Sequence, residues 1–201
     1  ARATGAYIIQ VDGDVILHPD FVRDHVSVAR PGLFVSGSRV LLGPRYSAGL
    51  LANRSIDINA WKKDVSNRLN AIRIPWASPV FGRYKPEVTR GCNMAFWRND
   101  LIRVNGYDES FCGWGREDSE LAIRLDNSGV RQRCMKFRGV VFHLHHGKCE
   151  RNSLSANEER YQQTIREHRT RCETGLARHL ATTEQTRVPE TEVKIAVPAG
   201  T

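Results

Sequence analysis

The segment AYIIQVDGDV near the start of the chain constrains the fold most strongly. Residues 7–11 form a short apolar, β-branched run that ends at Asp12, Gly13 and Asp14. This pattern predicts a buried strand that leads into a turn. Because a strand buried on both faces usually belongs to a parallel sheet covered by helices, the segment predicts an α/β fold.

The composition fits one globular domain. The chain has 201 residues, 40% of them hydrophobic, and four Trp, seven Phe and five Tyr are available for packing. We predict no membrane span, because no apolar run reaches about 18 residues, and no signal peptide. The five cysteines form no Cys-x-x-Cys pair, which favours free thiols in a reducing compartment over disulfides or structural zinc.

The net charge of +8 at pH 7 indicates a basic surface. Such a surface can meet nucleic acid, anionic lipid or phosphorylated substrates. The basic residues are scattered, however, and no run of five or more Lys or Arg occurs. A solvated basic surface explains the charge equally well, and we predict no nucleic-acid partner.

Short strands and helices are predicted to alternate along the first half of the chain. Their signals are Pro19 before a short helix, a strand pattern over residues 33–42, helical propensity over 45–75, and a proline-rich loop over 75–90. Long loops in compact domains are often functional.

The second half gives further predicted elements. Met94–Trp97 is predicted as a strand, followed by a helix capped by Asn99, then a helix over residues 117–129, and then two strands or one hairpin over 133–146. We expect three parts: a catalytic domain over 1–150, a polar helix over 151–180, and a disordered tail over 181–201.

The Asp12-Gly13-Asp14 turn is the first candidate site. Ligands of open α/β sheets bind at the carboxyl ends of strands. Two carboxylates beside a glycine can hold a hard divalent cation, which in turn binds a diphosphate. The alternative is an ordinary polar turn, because Asp-Gly is a common turn pair.

The segment FCGWGREDSEL is the second candidate site. Acidic residues in the first turn of a helix interact well with its dipole, so capping alone would explain Glu117 or Asp118. Capping does not explain Trp114 between two glycines. A flat aromatic ring beside carboxylates suits a sugar, and one carboxylate could act as general base toward an acceptor hydroxyl.

The histidines of FHLHHGK are the third candidate site. His143 and His145 would share a face of a strand, whereas His143 and His146 would converge in a bent segment. Three histidines within four residues suggest a metal site. A basic, exposed strand end is the alternative.

Together these segments resemble nucleotide-sugar-dependent glycosyltransferases of the GT-A fold. YIIQVDGDVILHPDF resembles the strand and Asp-x-Asp motif of family 2 glycosyltransferases. RGCNMAFWRNDLIRVNGYDESFCGWGREDSELAIRL resembles the galactosyltransferase-type module shared by β-1,4-galactosyltransferases and many bacterial polysaccharide enzymes, and VVFHLHH resembles its closing metal-ligand strand. The resemblance covers about residues 1–150 and implies a partial GT-A fold, a Rossmann-like mixed sheet with flanking helices.

The resemblance implies roles for individual residues. It makes Asp118 the catalytic base and implies an inverting displacement supported by Mn²⁺ or Mg²⁺. The implied metal ligands are Asp14, His143 and His146. The residues implied to bind substrate are Asp12, Gly91, Asn93, Trp114 and Glu117.

The resemblance also implies partners and a cellular setting. They are a nucleotide-sugar donor of the UDP-sugar type and a glycan or lipid-linked saccharide acceptor. UDP-galactose, UDP-N-acetylgalactosamine and UDP-glucose remain open as donors. We expect a cytoplasmic enzyme of polysaccharide biosynthesis with peripheral contact at the inner membrane.

Two departures from the family pattern stand out. Only ARATGA precedes the first strand, whereas the family places its nucleotide-binding units there, so we expect a C-terminal fragment that holds the nucleotide poorly. Arg116 replaces a glycine of the galactosyltransferases. The alternative to a transferase is a non-catalytic carbohydrate-binding or partner module. The hypothesis of a phosphate- or nucleic-acid-binding domain is supported by net charge alone.

Overall fold

The computed structural model describes residues 1–74, 76, 89–147 and 152–185. The strands in these residues are β1 (Tyr7–Gln10), β2 (Val15–Leu17), β3 (Leu33–Ser36), β4 (Val40–Leu42), β5 (Val65–Ser66), β6 (Met94–Trp97), β7 (Arg131–Cys134) and β8 (Val141–His143). The helices are α1 (Phe21–Val28), α2 (Pro44–Ala52), α3 (Arg98–Arg103), α4 (Glu117–Asn127), α5 (Leu154–Arg166) and α6 (Leu176–Gln185). No helix in the described ranges has the length and apolar character needed to cross a membrane.

The described strands form two four-stranded mixed sheets with flanking helices, which confirms the α/β prediction. The first sheet has the order β1-β6-β3-β7 and the second has the order β2-β8-β4-β5. In the first sheet only β3 and β7 are parallel, and in the second only β4 and β8 are parallel.

The position of β1 differs from the expectation. It was expected to be buried in a parallel sheet, but it is a half-buried edge strand that pairs antiparallel with β6. The buried centre of that sheet is supplied by β3 and β6 instead. The apolar run of β1 therefore covers the sheet edge, where Tyr7 packs edge-on against Trp97 with ring centroids 5.2 Å apart.

Two segments pass from the first sheet to the second: residues 33–42, which were expected to form one strand, and residues 133–146, which form two strands, one of the two expected alternatives. Residues 33–42 divide into β3 and β4, and residues 133–146 contain β7 and β8, which belong to different sheets. The crossing at Gly37 is tight, because a Cβ there would lie 2.2 Å from the Asn93 side chain. This parallel crossing places the end of β8 beside the start of β2.

Helix α4 is anchored by a fully buried stripe, as its periodicity predicts. Leu121, Ala122 and Leu125 have no exposed surface and pack with Phe34 and Phe96. Burial of one leucine side chain contributes about 1.5–3 kcal/mol to stability. This packing fixes the helix whose first turn carries Glu117 and Asp118.

The C-terminal part contains two helices where one was expected. After α5 ends, His168 takes a left-handed conformation at φ 48°, and the following residues approach the loop after α3. There Cys172 is buried and its carbonyl accepts a 3.0 Å hydrogen bond from Asn105. The expected tail over 181–201 begins inside α6, and residues 186–201 lie outside the described part of the chain.

The capping position of helix α3 lies two residues earlier than predicted. The helix starts at Arg98, and Trp97 occupies the capping position expected for Asn99. The predicted loop over 75–90 lies mostly outside the described residues, as does Cys149. The described cysteines are free thiols.

Candidate active site

A cavity of about 1160 Å³ opens where the end of β1, the turn before β6, the start of α4 and the start of α5 meet. Small-molecule sites are commonly about 300–1,000 Å³, so it has room for more than one small substrate. The residues that line it are Gln10, Asp12, Arg39, Thr89, Arg90, Gly91, Cys92, Tyr107, Trp114, Gly115, Arg116, Glu117, Asp118, Ser119, Leu154, Ser155 and Glu158.

Asp14, His143 and His146 form a cluster with metal-ligand geometry. The Nε2 atoms of His143 and His146 lie 3.5 and 3.2 Å from Oδ2 of Asp14. One ligand atom from each residue lies within 4.8 Å of the other two. Imidazole nitrogens and carboxylate oxygens together suit a divalent transition metal such as Mn²⁺.

The hydrogen bonds of the two imidazoles favour metal ligation. Nδ1 of His143 lies 2.9 Å from the carbonyl of Leu144, and Nδ1 of His146 lies 2.7 Å from the carbonyl of Gly147. Because a carbonyl only accepts, each Nδ1 carries a proton, and loss of any proton on Nε2 would leave that nitrogen's lone pair facing Asp14 for a metal ion. Oδ1 of Asp14 is buried and has no hydrogen-bond partner among the described residues. The donor set and this carboxylate oxygen fit a bound cation.

Sheet pairing brings this cluster together. Strands β2 and β8 are antiparallel with Val15 opposite His143, and the Leu144 amide donates a 2.9 Å hydrogen bond to the Asp14 carbonyl. Strand β8 ends at His143, so the bent geometry that brings His143 and His146 together is the one observed. His145 is not part of the cluster, and its backbone amide donates to Ser47.

Asp118 accepts hydrogen bonds on both carboxylate oxygens. The Gly91 amide donates to Oδ2 over 2.6 Å, and the Tyr107 hydroxyl donates to Oδ1 over 2.7 Å. The Gln10 side-chain amide donates to the Tyr107 hydroxyl over 2.8 Å and to the Gly91 carbonyl over 3.1 Å. Because Gln10 donates to the Tyr107 oxygen, the phenol proton points to Asp118. The base candidate is therefore held by three elements.

Burial raises the pKa of Asp118 above its ordinary value. The hydrogen bonds from Tyr107 and Gly91 act in the opposite direction, and the nearby charges of Glu117 and Asp12 add to the increase. Burial also raises the pKa of Tyr107 well above its usual range, so this phenol stays a donor. A carboxyl group with a raised pKa in a cavity is typical of a general base.

Asp12 connects the two clusters electrostatically. It lines the cavity with Asp118, and its charge raises the pKa of that carboxyl. Desolvation, followed by the charge of Asp14, raises the pKa of Asp12, whereas the charges of His143 and His146 lower it. Asp12 therefore lies within electrostatic range of both the candidate metal ligands and the candidate base.

The Trp114 loop is held in place by α5. Gly113 and Gly115 have φ values of 68° and 115°, and a Cβ at Gly115 would lie 2.8 Å from Leu154. Trp114 keeps 45% of its surface exposed at the cavity. The Gly115 amide donates to Glu117 over 2.9 Å. The glycines thus supply both the left-handed conformation and the space for close contact with α5.

Arg116 also takes the left-handed conformation, with φ at 75°, at the start of α4. A glycine would adopt this left-handed conformation without strain, which fits the glycine that the galactosyltransferase pattern has at this position. Here Nε of Arg116 is 2.5 Å from Oε2 of Glu158, and its guanidinium lies 4.9 Å from the centre of the Tyr161 ring. Arg116 therefore lacks the conformational freedom of glycine but makes these contacts with α5.

Asn93 does not take the position expected of a substrate-binding residue. Its side chain has no exposed surface, and its Nδ2 donates to the carbonyls of Ser38 and Gly139 over 2.9 and 2.8 Å. Its Oδ1 is 2.9 Å from Nε2 of His25. Because these bonds use its polar atoms, Asn93 serves the fold, and we leave it out of the proposed site. Gly91 lines the cavity, and its observed hydrogen bonds are with Asp118 and Gln10.

Several cavity residues were missed by the sequence reasoning. Gln10 and Tyr107 bond to each other across 97 residues of chain, and Arg39 and Glu158 also line the cavity. Gln10 is the polar residue at the end of an apolar strand, two positions before Asp12, and this was an available signal. The contribution of α5 had no signal, because it depends on how that helix packs.

Comparisons with known proteins relate the chain to glycosyltransferases. Residues 76–147, about a third of the chain, match a protein-family model described as the N-terminal domain of galactosyltransferase. Chondroitin sulfate synthase 3 of Homo sapiens is 31% identical over 96 residues, which cover 36% of this chain and 11% of that protein. The chain therefore spans only a small part of that relative's length.

A solved structure is also similar. It is the mannosyltransferase PcManGT from Pyrobaculum calidifontis in complex with GDP-Man and Mn²⁺, with 19% sequence identity and a TM-score of 0.47. The similarity covers 82% of this chain and 40% of that one. The segment matched by the family model contains Trp114, Asp118, His143 and His146, whereas Asp14 and α5 lie outside it.

Proposed function

We propose that this chain carries the metal- and acceptor-binding part of an inverting glycosyltransferase, which moves a sugar from a nucleotide-sugar donor to a hydroxyl of a glycan or lipid-linked saccharide. The observation that carries the proposal is a cluster of three potential metal ligands, one of them two residues from Asp12, which itself lines one cavity with Asp118. The galactosyltransferase family match and the identity to a chondroitin sulfate synthase support it.

Asp14, His143 and His146 would hold the divalent ion, Mn²⁺ or Mg²⁺. A bound ion would offset the negative charge of a diphosphate leaving group. Asp12 stands next to this site at the cavity, where its carboxylate suits the donor ribose or a water molecule of the ion.

Asp118 is the proposed general base. As the acceptor oxygen attacks the anomeric carbon, its proton passes to the Asp118 carboxylate. The new C–O bond forms on the face opposite the breaking C–O bond to the diphosphate, which inverts the configuration. The bonds from Gly91 and Tyr107 fix the carboxylate for this transfer, and each oxygen keeps a further lone pair for the acceptor.

Trp114 and Glu117 are the proposed acceptor contacts. The half-exposed indole offers a flat surface to the apolar face of a pyranose ring. Glu117, fixed by the Gly115 amide, can accept hydrogen bonds from sugar hydroxyls. Both lie on the loop and helix turn that also present Asp118.

A screen of nucleotide sugars with Mn²⁺ or Mg²⁺ tests the proposal. Wild-type protein should release the nucleotide diphosphate from one donor, and a chelator should abolish release. Asp118→Asn should retain Mn²⁺ binding and lose transfer, whereas Asp14→Ala should lose both. His145→Ala is the matched control, because His145 adjoins the cluster without joining it, and it should behave as wild type.

Two results would contradict the proposal. Unchanged glycosyl transfer in Asp118→Asn would remove Asp118 as the base. Tight binding of Mn²⁺ and a saccharide with no turnover of any nucleotide sugar would instead identify a non-catalytic carbohydrate-binding module.

A further inference from the structure

Arg39 is a cavity residue whose buried side chain has few partners. Among the described residues, its Nη1 makes one weak contact, 3.8 Å from the sulfur of Cys92, and its Nε is buried without a hydrogen-bond partner. Within the described part of the chain, no carboxylate oxygen lies within 4.0 Å of its guanidinium. Another cavity arginine, Arg116, is paired with Glu158 and stacked over Tyr161. A guanidinium has five N–H donors, so Arg39 keeps donor capacity for a ligand.

The backbone fixes Arg39 close to the candidate metal cluster. Its carbonyl accepts a 2.9 Å hydrogen bond from Asn70, and the next residue begins β4. Strand β4 runs parallel to β8 with Leu41 opposite His143. Arg39 lines the cavity together with Asp12, so its side chain reaches the same space.

An anionic ligand would stabilise Arg39 at this position. A guanidinium and a bound divalent ion would repel each other at short range, and a buried donor without an acceptor is unfavourable. An anion that contacts both cations removes both penalties. Phosphate oxygens match the planar donor fork of arginine, and a diphosphate has enough oxygens to reach the ion and the guanidinium together.

We propose that Arg39 is a phosphate-binding residue that contacts the diphosphate of the donor together with an ion held by the Asp14–His143–His146 cluster. This assignment rests on the proposed function. Arg39 would give the diphosphate leaving group a second positively charged partner beside the ion. Arg39 lies outside the segment that the family model matches.

Pyrophosphate is a suitable probe, because it carries the diphosphate without the nucleoside or the sugar. Its binding in saturating Mg²⁺ can be measured by isothermal titration calorimetry on the full chain. Arg39→Gln should weaken pyrophosphate binding about 10- to 100-fold, the range of a charged hydrogen-bonded contact. Arg39→Lys keeps the charge but loses the fork, and should recover part of the affinity. Mn²⁺ binding without pyrophosphate should be unchanged or tighter in Arg39→Gln.

Arg45→Gln is the matched control, because Arg45 is exposed on α2 and its loss changes net charge equally. It should bind pyrophosphate as wild type does. Wild-type affinity in Arg39→Gln, an equal loss in Arg45→Gln, or no binding by the wild type would each overturn the assignment. If Arg39-dependent pyrophosphate binding is found while no nucleotide sugar is turned over, the assignment stands and the proposed transferase fails. Parallel titrations with UDP and GDP show whether the nucleoside adds affinity.

Discussion

The amide of Gly91 donates a 2.6 Å hydrogen bond to Oδ2 of Asp118, across 27 residues of sequence. Asp118 comes this close because Gly91 has no side chain. A Cβ at Gly91 would lie 2.6 Å from Oδ1 of Asp118 and 2.9 Å from Nε2 of Gln10. The turn before β6 thus fixes the candidate base through the backbone amide of Gly91.

Gly91→Ala should therefore displace the Asp118 carboxylate without unfolding the chain. A misplacement of about 1 Å in a reacting group costs on the order of 10²-fold in rate. We expect kcat for glycosyl transfer to fall by about that factor, with Mn²⁺ binding retained. Gly49→Ala is the control, because a Cβ there meets nothing within 4 Å, and it should keep full activity. Full activity of Gly91→Ala would contradict the role of this contact.

Tyr107→Phe should change the pH dependence of the reaction. The phenol donates to Asp118 and so favours its ionised form, against the burial that raises its pKa. Without this donor, the pKa of Asp118 rises further. Since the base acts when ionised, the acidic limb of kcat/KM should move to higher pH, with the greatest loss of rate below neutrality.

Carbon-13 NMR titration of the Asp118 carboxyl measures the same shift independently of turnover. Tyr46→Phe is the matched control, because the Tyr46 hydroxyl accepts a hydrogen bond from Asn59 and lines no part of the cavity. It should leave the Asp118 titration unchanged. A titration of Asp118 at lower pH in Tyr107→Phe would refute the prediction.

Trp114→Ala should weaken acceptor binding more than it slows the chemical step. The indole is nearly half exposed at the cavity, on the loop whose glycines contact α5. Loss of a ring contact of about 1–1.5 kcal/mol corresponds to a roughly tenfold increase in the KM for the acceptor, with a smaller change in kcat. Trp61→Ala, also an exposed tryptophan but outside the cavity, should not change KM. An equal effect of both variants would remove the platform role.

The local elements of this fold were predictable where one rule dominates. The short apolar run Met94–Trp97 predicted a strand with the observed bounds, and the stripe of Leu121, Ala122 and Leu125 predicted helix α4. The spacing of His143 and His146 left two geometries open, and the strand end decides between them. These features depend on contacts close in sequence or on a single buried face.

Long-range packing was not predictable from one sequence. The apolar run of β1 fits a buried strand as well as an edge strand, because its pattern does not say how many neighbours it has. Asn93 lies immediately before β6, a position that suits a substrate-binding residue. Its polar atoms are nevertheless satisfied by His25, Ser38 and Gly139. The wall supplied by α5 depends on pairs such as Arg116 and Glu158, which are 42 residues apart.

The buried Glu120–Arg124 pair should be the most sensitive polar contact for stability. Arg124 has no exposed surface, lies 2.7 Å from Oε1 of Glu120, and donates to the carbonyls of Val104 and Gly106. Glu120→Ala leaves this guanidinium buried without its counter-charge, which should cost about 3–5 kcal/mol in the free energy of unfolding. Urea denaturation measures that change.

An exposed pair supplies the comparison. Glu159 and Arg166 on α5 are 2.6 Å apart, and their side chains are 71% and 59% exposed, so Glu159→Ala should cost less than about 1 kcal/mol. The double substitution Glu120→Leu with Arg124→Met should recover part of the loss by removing both buried charges. Recovery should stay incomplete, because Arg124 also serves two backbone carbonyls of the loop after α3. Equal losses from Glu120→Ala and Glu159→Ala would show that burial of the pair does not matter for stability.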